Sequence, residues 1–135
     1  MSEYRNGFDI DGVIYMGNTY TGVWPGPNDI IITGRSIEEA PETRRQLHDR
    51  KIFNQVFFNP LPWAEKSRVT SGQHKGNTIM RLIHQGNKIG LFFEDDPVQV
   101  AEIQKIVGNA VQVVHLVHNL TEKENVRHVI SDNQK

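Results

Sequence analysis

Asp29-Ile30-Ile31-Ile32-Thr33-Gly34-Arg35-Ser36 sets three consecutive isoleucines between an acid and a glycine. A strand with one wet face alternates apolar and polar residues. A run that is β-branched throughout is buried on both faces, as in parallel sheets. Asp29–Thr33 therefore predicts an inner strand that stops at Gly34-Arg35-Ser36. Short apolar runs recur at Gln55–Phe58, Ile89–Phe93 and Val111–Leu116. Between them the apolar spacing turns helical: over Pro41–Lys51, over His74–Gln85 with Ile79, Leu82 and Ile83 on one face, and over Val98–Ile106 with Val100, Ile103 and Ile106 inward. Ser36 and Glu39 have capping-box spacing, Pro97 suits a first helical turn, and Gly86 a helix end. Trp63–Gln73 reads as a polar, basic loop. Thr121–Ile130 reads as a last helix within a C-terminal tail of about 120–135, which ends in polar residues.

Alternating strands and helices imply an α/β fold: an open, three-layer, Rossmann-like parallel sheet. At 135 residues the chain has the size of one domain, 1–135. An apolar fraction of 37% and a charged fraction of 23% suit a soluble globular protein, and a net charge of −1 argues against bulk nucleic-acid binding by net charge alone. With no cysteine, disulfides, thiolate zinc sites and cysteine nucleophiles drop out. The N-terminus carries no apolar run of the signal-peptide or membrane-span kind, so a cytoplasmic location and no membrane partner are expected.

Upstream lies Phe8-Asp9-Ile10-Asp11-Gly12-Val13. If a strand continued through both acids, Asp9 and Asp11 would point to one side, with Gly12 letting the chain turn away. An exposed Asx turn explains the stretch alone equally well. From 14 to 28, Gly17-Asn18 among aromatic and polar residues predicts a flap hairpin, which the prolines end. Tyr15, Tyr20 and Trp24 could stack on a base or sugar, or pack the hairpin onto the domain; packing is the favoured reading.

In open parallel sheets ligands bind beyond the carboxyl ends of the strands. The residues expected there are Asp9 and Asp11, Thr33-Gly34-Arg35, Asn59 and Glu94-Asp95-Asp96, with Lys75 close to a helix start. Paired carboxylates supply hard oxygens for Mg²⁺, and a lysine, a hydroxyl and a glycine amide supply donors for phosphate. One carboxylate could attack phosphorus and a second could move the proton. Singly each motif has an ordinary explanation: strand-ending Thr-Gly is common, a lone lysine is usually solvated, and Asp95-Asp96 could simply cap a helix.

Together, Asp9-Ile10-Asp11-Gly12, Ile31-Ile32-Thr33-Gly34-Arg35, Lys75 and Phe93-Glu94-Asp95-Asp96 stand in the order of the four motifs of the haloacid dehalogenase superfamily, which the chain resembles over nearly its whole length. Thr43–Leu47 and Asp95–Val100 make it similar to small phosphatases such as the 3′-phosphatase domain of polynucleotide kinase. The resemblance implies a phosphatase using Mg²⁺ and an aspartyl-phosphate intermediate. Asp9 would be nucleophile and Asp11 general acid/base; Thr33 would hold phosphoryl oxygens and Lys75 neutralise charge. Metal ligands would be Asp9, the main-chain carbonyl of Asp11, Asp95 and Asp96, the last directly or from behind. Gly34 and Arg35 would bind substrate, a nucleotide or a nucleic-acid end.

Two departures stand out. Tyr4-Arg5-Asn6-Gly7 is polar where the family's first strand is apolar, and residues 12–32 have room for neither a cap domain nor a helix. A capless site is open, which suits a phosphate on a macromolecule. The missing helix leaves one sheet face less covered, and a second subunit in a homodimer is one way to cover it. The alternatives are a non-catalytic binding or regulatory module on the same scaffold, and a phosphatase of a small metabolite; a phosphotransferase ranks behind them, since such reactions usually need a closing cap. His115 and His118 would not share a strand face, so a zinc pair is not expected. His74 reads as solvated, and Arg44, Arg45, Lys66 and Arg68 as a basic rim or a charged surface.

Overall fold

The computed structural model describes residues 3–17 and 20–120, without the side chains of Tyr20 and Thr21. The helix expected over Thr121–Ile130 lies outside them. In chain order the elements are β1 (Tyr4–Phe8), β2 (Tyr15–Met16), β3 (Tyr20–Thr21), β4 (Ile30–Ser36), α1 (Ala40–Asp49), β5 (Val56–Asn59), α2 (Arg68–His84), β6 (Lys88–Glu94), α3 (Pro97–Val107) and β7 (Gln112–His115). Short 3₁₀ turns at Ile37–Glu39 and Trp63–Glu65 lead into α1 and α2. The main sheet has five strands in the order β5-β4-β1-β6-β7, and all its pairings are parallel. This is an α/β protein with a Rossmann-like open sheet. No helix among the described residues is long and apolar enough to cross a membrane.

The triple isoleucine feeds both faces of the sheet. Ile30 and Ile32 join Ile79 and Leu82 of α2 and Val100 and Ile103 of α3 in one cluster, while Ile31 joins Phe8, Leu47 of α1 and Ile52 in the other. Successive side chains alternate across a strand, so one β-branched run serves two cores. Among the described residues, positions 12–29 hold only the β2–β3 ribbon, with no inserted domain. The face that carries α1 alone is not left bare beside it, however. Ile10, Val13 and Ile14, in the loop after β1, are buried against Phe8, Ile31 and Leu47. Tyr15 packs at the edge of the same cluster beneath Arg50, whose guanidinium stands 4.3 Å from the ring centroid. The Trp24 indole donates to the Ile14 carbonyl (3.1 Å). These two aromatics therefore hold the hairpin to the domain.

The polar first strand also has a physical reason. The β1–β6 register shifts between Arg5 and Gly7, so β6 is bulged near Gly90-Leu91. The amide that the bulge frees, Leu91 N–H, donates to Asn6 Oδ1 (3.1 Å). Arg5 donates to the Asn28 carbonyl and to Asn87 Oδ1, lacing the strand's start to two loops. Gly7 has no room for a side chain, since a Cβ there would lie 2.6 Å from the Phe92 ring. A greasy strand would leave the bulge unsatisfied.

One helix boundary departs from expectation. The expected loop Trp63–Gln73 is a loop only to Ser67; α2 begins at Arg68, capped reciprocally by Ser67 and Thr70. Threonine in place of the usual Glu or Gln at the third helical position hides this cap from the sequence. Lys75 thus sits about two turns inside the helix, not at its start.

Candidate active site

β1 ends at Phe8, and the next residue carries the first acid. Asp9 is tied to β6 by its amide, which donates to the Phe93 carbonyl (3.1 Å). The strand does not continue through both acids. The Ile10 carbonyl instead accepts from the amides of Val13, Ile14 and Tyr15, turning the chain sharply. Gly12 in that turn has φ +89°, and a Cβ on it would fall on the Asp95 carboxylate. Only glycine meets both conditions.

The turn separates the two acids. Asp9 is buried, with Lys75 Nζ 3.0 Å from its Oδ1; the same ammonium donates to Glu94 Oε1 at 2.6 Å. Lys75 is 1% exposed and Glu94 wholly buried. The second oxygen of Glu94 accepts from the amides of Asp95 and Asp96 (3.2 Å each). Carboxylate oxygens of Asp9, Glu94 and Asp95 lie within 4.8 Å of one another. Burial pushes Asp9 up to about 6; Lys75 pulls it down, and the charges of Asp95 and Asp11 push it further up. Glu94 is raised well above the usual carboxylate range by burial and then by Asp9. Burial alone would lower Lys75, but Asp9 and Glu94 raise it above an ordinary lysine. One ammonium thus serves both Asp9 and Glu94, which leaves that pair of acids short of positive charge.

Asp11 faces the other way. Its two oxygens take a fork from Arg35, Nε at 2.9 Å and a terminal nitrogen at 2.8 Å. Arg35 is steadied in turn by donating to Thr43 Oγ1 and Gln46 Oε1 on α1. Burial opposes ionisation of Asp11, but the Arg35 bonds and charge outweigh it and hold the carboxyl below its ordinary range. Arg35, expected to bind substrate, spends its fork on Asp11.

Two further expected residues turn to other partners. Asp96, expected at the metal, is outside the acidic triad. Its carboxylate takes a bidentate pair from Arg68, accepts from Gln99 Nε2 and caps α3 through the Val98 amide. Burial notwithstanding, these bonds hold it below the usual range. Thr33 is wholly buried, behind the cleft, where its hydroxyl accepts from the Arg35 amide (3.0 Å). Its neighbour Gly34 does line the cleft and is kept bare by α2, since a Cβ there would stand 2.7 Å from Ser71 Oγ. The structure thus brings Asp9, Lys75 and Asp95 together, adds Glu94, sets Asp11 with Arg35 beside them, and turns Thr33 and Asp96 to other partners.

The cleft holds about 760 Å³. Asp9, Asp11, Lys75 and Asp95 form its floor, and Glu38, Glu39, Glu42, Arg45, Trp63 and Lys66 its outer wall. Of the expected basic rim, Arg45 and Lys66 are in the cleft, Arg44 stacks over Phe58 (5.1 Å) and Arg68 belongs to Asp96. His74 is half-buried rather than solvated, and desolvation with help from the Lys75 charge pushes it down to about 4, so it is neutral. Comparison with protein-family models, curated proteins and solved structures finds no match. Chemistry must therefore be read from the cleft itself.

Sequence reasoning left the roles of three residues unassigned. Glu94 is expected at the strand end, but nothing in sequence shows that it holds Lys75. Lys66 is expected only as part of a basic rim, and its polar neighbours Glu65 and Ser67 give no sign of its burial. His118 comes from beyond β7: its Nε2 donates to the Gly12 carbonyl (2.7 Å) and stands 3.6 Å from Asp95, while its Nδ1 accepts from the Leu120 amide. That network assigns the neutral Nε2–H tautomer. His115 reaches the Asp95 carbonyl from β7 (3.2 Å).

The donor set suits a hard divalent cation. Three carboxylates converge, a single lysine is shared by two of them, and oxygen-only ligation is the preference of Mg²⁺ and its relatives. Asp9 and Asp95 would hold the ion, since both Glu94 oxygens are already engaged by Lys75 and the two amides.

Proposed function

We propose that the protein is a Mg²⁺-dependent phosphomonoester hydrolase of the haloacid dehalogenase type, working through an aspartyl-phosphate on Asp9. The observation that carries this reading is the buried Asp9–Lys75–Glu94 arrangement beside Asp95, at the carboxyl ends of the adjacent strands β1 and β6. A structural ion pair needs neither a third buried acid beside it nor a cleft above it. The bound cation would neutralise phosphoryl charge and hold Asp9 ionised.

An Asp9 oxygen attacks phosphorus and the bond to the leaving oxygen breaks. Lys75, fixed from behind by Glu94, keeps Asp9 aimed and offsets the negative charge gathering on the phosphoryl oxygens. The Gly34 amide, at the cleft wall, is a further donor to those oxygens. Asp11, when protonated, gives its proton to the departing alkoxide; as carboxylate it takes a proton from the water that attacks the phospho-aspartate, releasing phosphate and restoring Asp9. The Arg35 fork favours the carboxylate form. It therefore favours the second half-reaction, and the first is easiest for leaving groups that need no proton.

An aryl phosphate, whose leaving group is stable as an anion, is the first substrate to assay with Mg²⁺. Turnover is expected and should vanish in Asp9→Asn while the far-ultraviolet circular dichroism stays native. Asp11→Asn should slow an alkyl phosphate far more than an aryl one. An Asp9→Asn protein as active as the parent refutes the reading. The natural substrates proposed are nucleotides or 3′-phosphate ends of polynucleotides, for which a capless cleft has room.

A further inference from the structure

Lys66 has no part in the chemistry above, yet it is only 4% exposed and lines the cleft. Among the described residues no carboxylate oxygen lies within 4.0 Å of its ammonium; Asp11, Asp96, Asp9 and Glu94 are paired with other cations. A lysine is rarely buried without a counter-charge, because desolvation disfavours the ammonium. Here burial, with Lys75 and Arg35 close by, holds Lys66 below an ordinary lysine, against the pull of Glu39 and Asp11. Neither acid is placed to take it as a partner. Asp11 is occupied by Arg35, and Glu39 accepts from the Ser36 amide as part of the cap before α1.

The position of this charge says what it serves. Lys75 covers the reacting centre at the ends of β1 and β6. Lys66 follows the 3₁₀ turn after β5, two strands away from β1 and three from β6, on the side of the sheet where Arg35 of β4 holds Asp11. Asp11 is the group assigned to the leaving oxygen, so Lys66 stands on the leaving-group side of the cleft. Glu38, the other acid near this wall, is committed to the Trp63 amide (2.9 Å).

We propose that Lys66 binds a second anionic group carried by the leaving portion of the substrate, so that the site selects phosphomonoesters bearing a second phosphate or a carboxylate. This rests on the phosphatase reading for the word "leaving", but anion binding at Lys66 can be measured without turnover.

The test uses the full chain as Asp9→Asn with Mg²⁺, titrated calorimetrically with two matched pairs: a nucleoside 3′,5′-bisphosphate against the 3′-monophosphate, and phosphoglycolate against ethyl phosphate. The doubly anionic member of at least one pair should bind tenfold or more tightly. Adding Lys66→Met should bring that ratio to one, and Lys66→Arg should keep most of it. Lys66→Met removes a buried unpaired charge, so its melting temperature should not fall, which separates lost recognition from lost folding. Ratios near one in both pairs overturn the proposal, as does a ratio that survives Lys66→Met. An equal loss for all four ligands would place Lys66 on the transferred phosphoryl group and also overturn it. Discrimination that depends on Lys66 in a protein that hydrolyses no phosphomonoester would leave the anion site standing and remove the phosphatase reading.

Discussion

Removing the charge of Asp9 should make the metal-free protein more stable. The unfolded chain releases the Asp9 proton near pH 3.8, whereas the folded protein holds it up to about pH 6. Between those values the folded state binds more protons, so stability falls as pH rises through the window, and the whole penalty is present above it. Two units correspond to roughly 3 kcal/mol. Asparagine has nearly the same shape and no charge, so Asp9→Asn should match the wild type below about pH 4. It should gain through the window and exceed wild type by on the order of 3 kcal/mol at pH 8, about 10 °C in melting temperature. Urea unfolding in EDTA across pH 3–8 measures it. Saturating Mg²⁺ should close the gap from the other side: an ion at a hundred times its dissociation constant stabilises wild type by about 2.7 kcal/mol, with little effect on the variant. An Asp9→Asn protein no more stable than wild type at pH 8, or a difference that ignores pH, would refute the view that the acids are undercompensated.

Lys75→Met should do the opposite, leaving Asp9 and Glu94 buried without their cation. A loss of roughly 3–5 kcal/mol is expected near neutral pH, shrinking in acid as the carboxyls take up protons, measured by the same unfolding series. Gly12→Ala forces a side chain onto the Asp95 carboxylate at a left-handed φ, so it should cost about 1–3 kcal/mol and abolish any Mg²⁺-induced rise in melting temperature. Asn6→Ala orphans the bulge amide, with an expected loss of about 1–3 kcal/mol and faster hydrogen exchange at Leu91 N–H.

Much of the architecture is legible in residue patterns. The triple isoleucine could only be an inner strand, and it is one. The strand-end rule located Asp9, Asp11 and Asp95 because topology, not side-chain detail, brings parallel strand ends together. What escaped depends on specific partners. Asn6 looked out of place because its worth lies in one amide of a bulged strand 85 residues away. The start of α2 was hidden by a Ser-Thr cap and by glycines that exist for its packing on α3; a Cβ at Gly72 would stand 2.7 Å from Glu102. Asp96 and Asp95 are neighbours of one chemical type, and nothing in sequence says that Arg68 claims one and leaves the other to the acidic triad. Lys66 is the extreme case, a buried charge whose setting exists only in three dimensions.

The central place of β1 bears on how the molecule is made. Its neighbours are β4 on one side and β6, beginning at Lys88, on the other. During synthesis the strand carrying Asp9 therefore waits for some eighty further residues before its second edge is paired. The three mutually repelling acids cannot meet earlier, because two of them arrive with β6 and its following turn, after Lys75 has been made. Long-range parallel pairing of this kind is slow to form. His118 then ties the Gly12 loop down from a point 106 residues further on. The repulsive cluster is thus assembled late, when its lysine is already on hand, and a nascent chain cut short of β6 carries no such site.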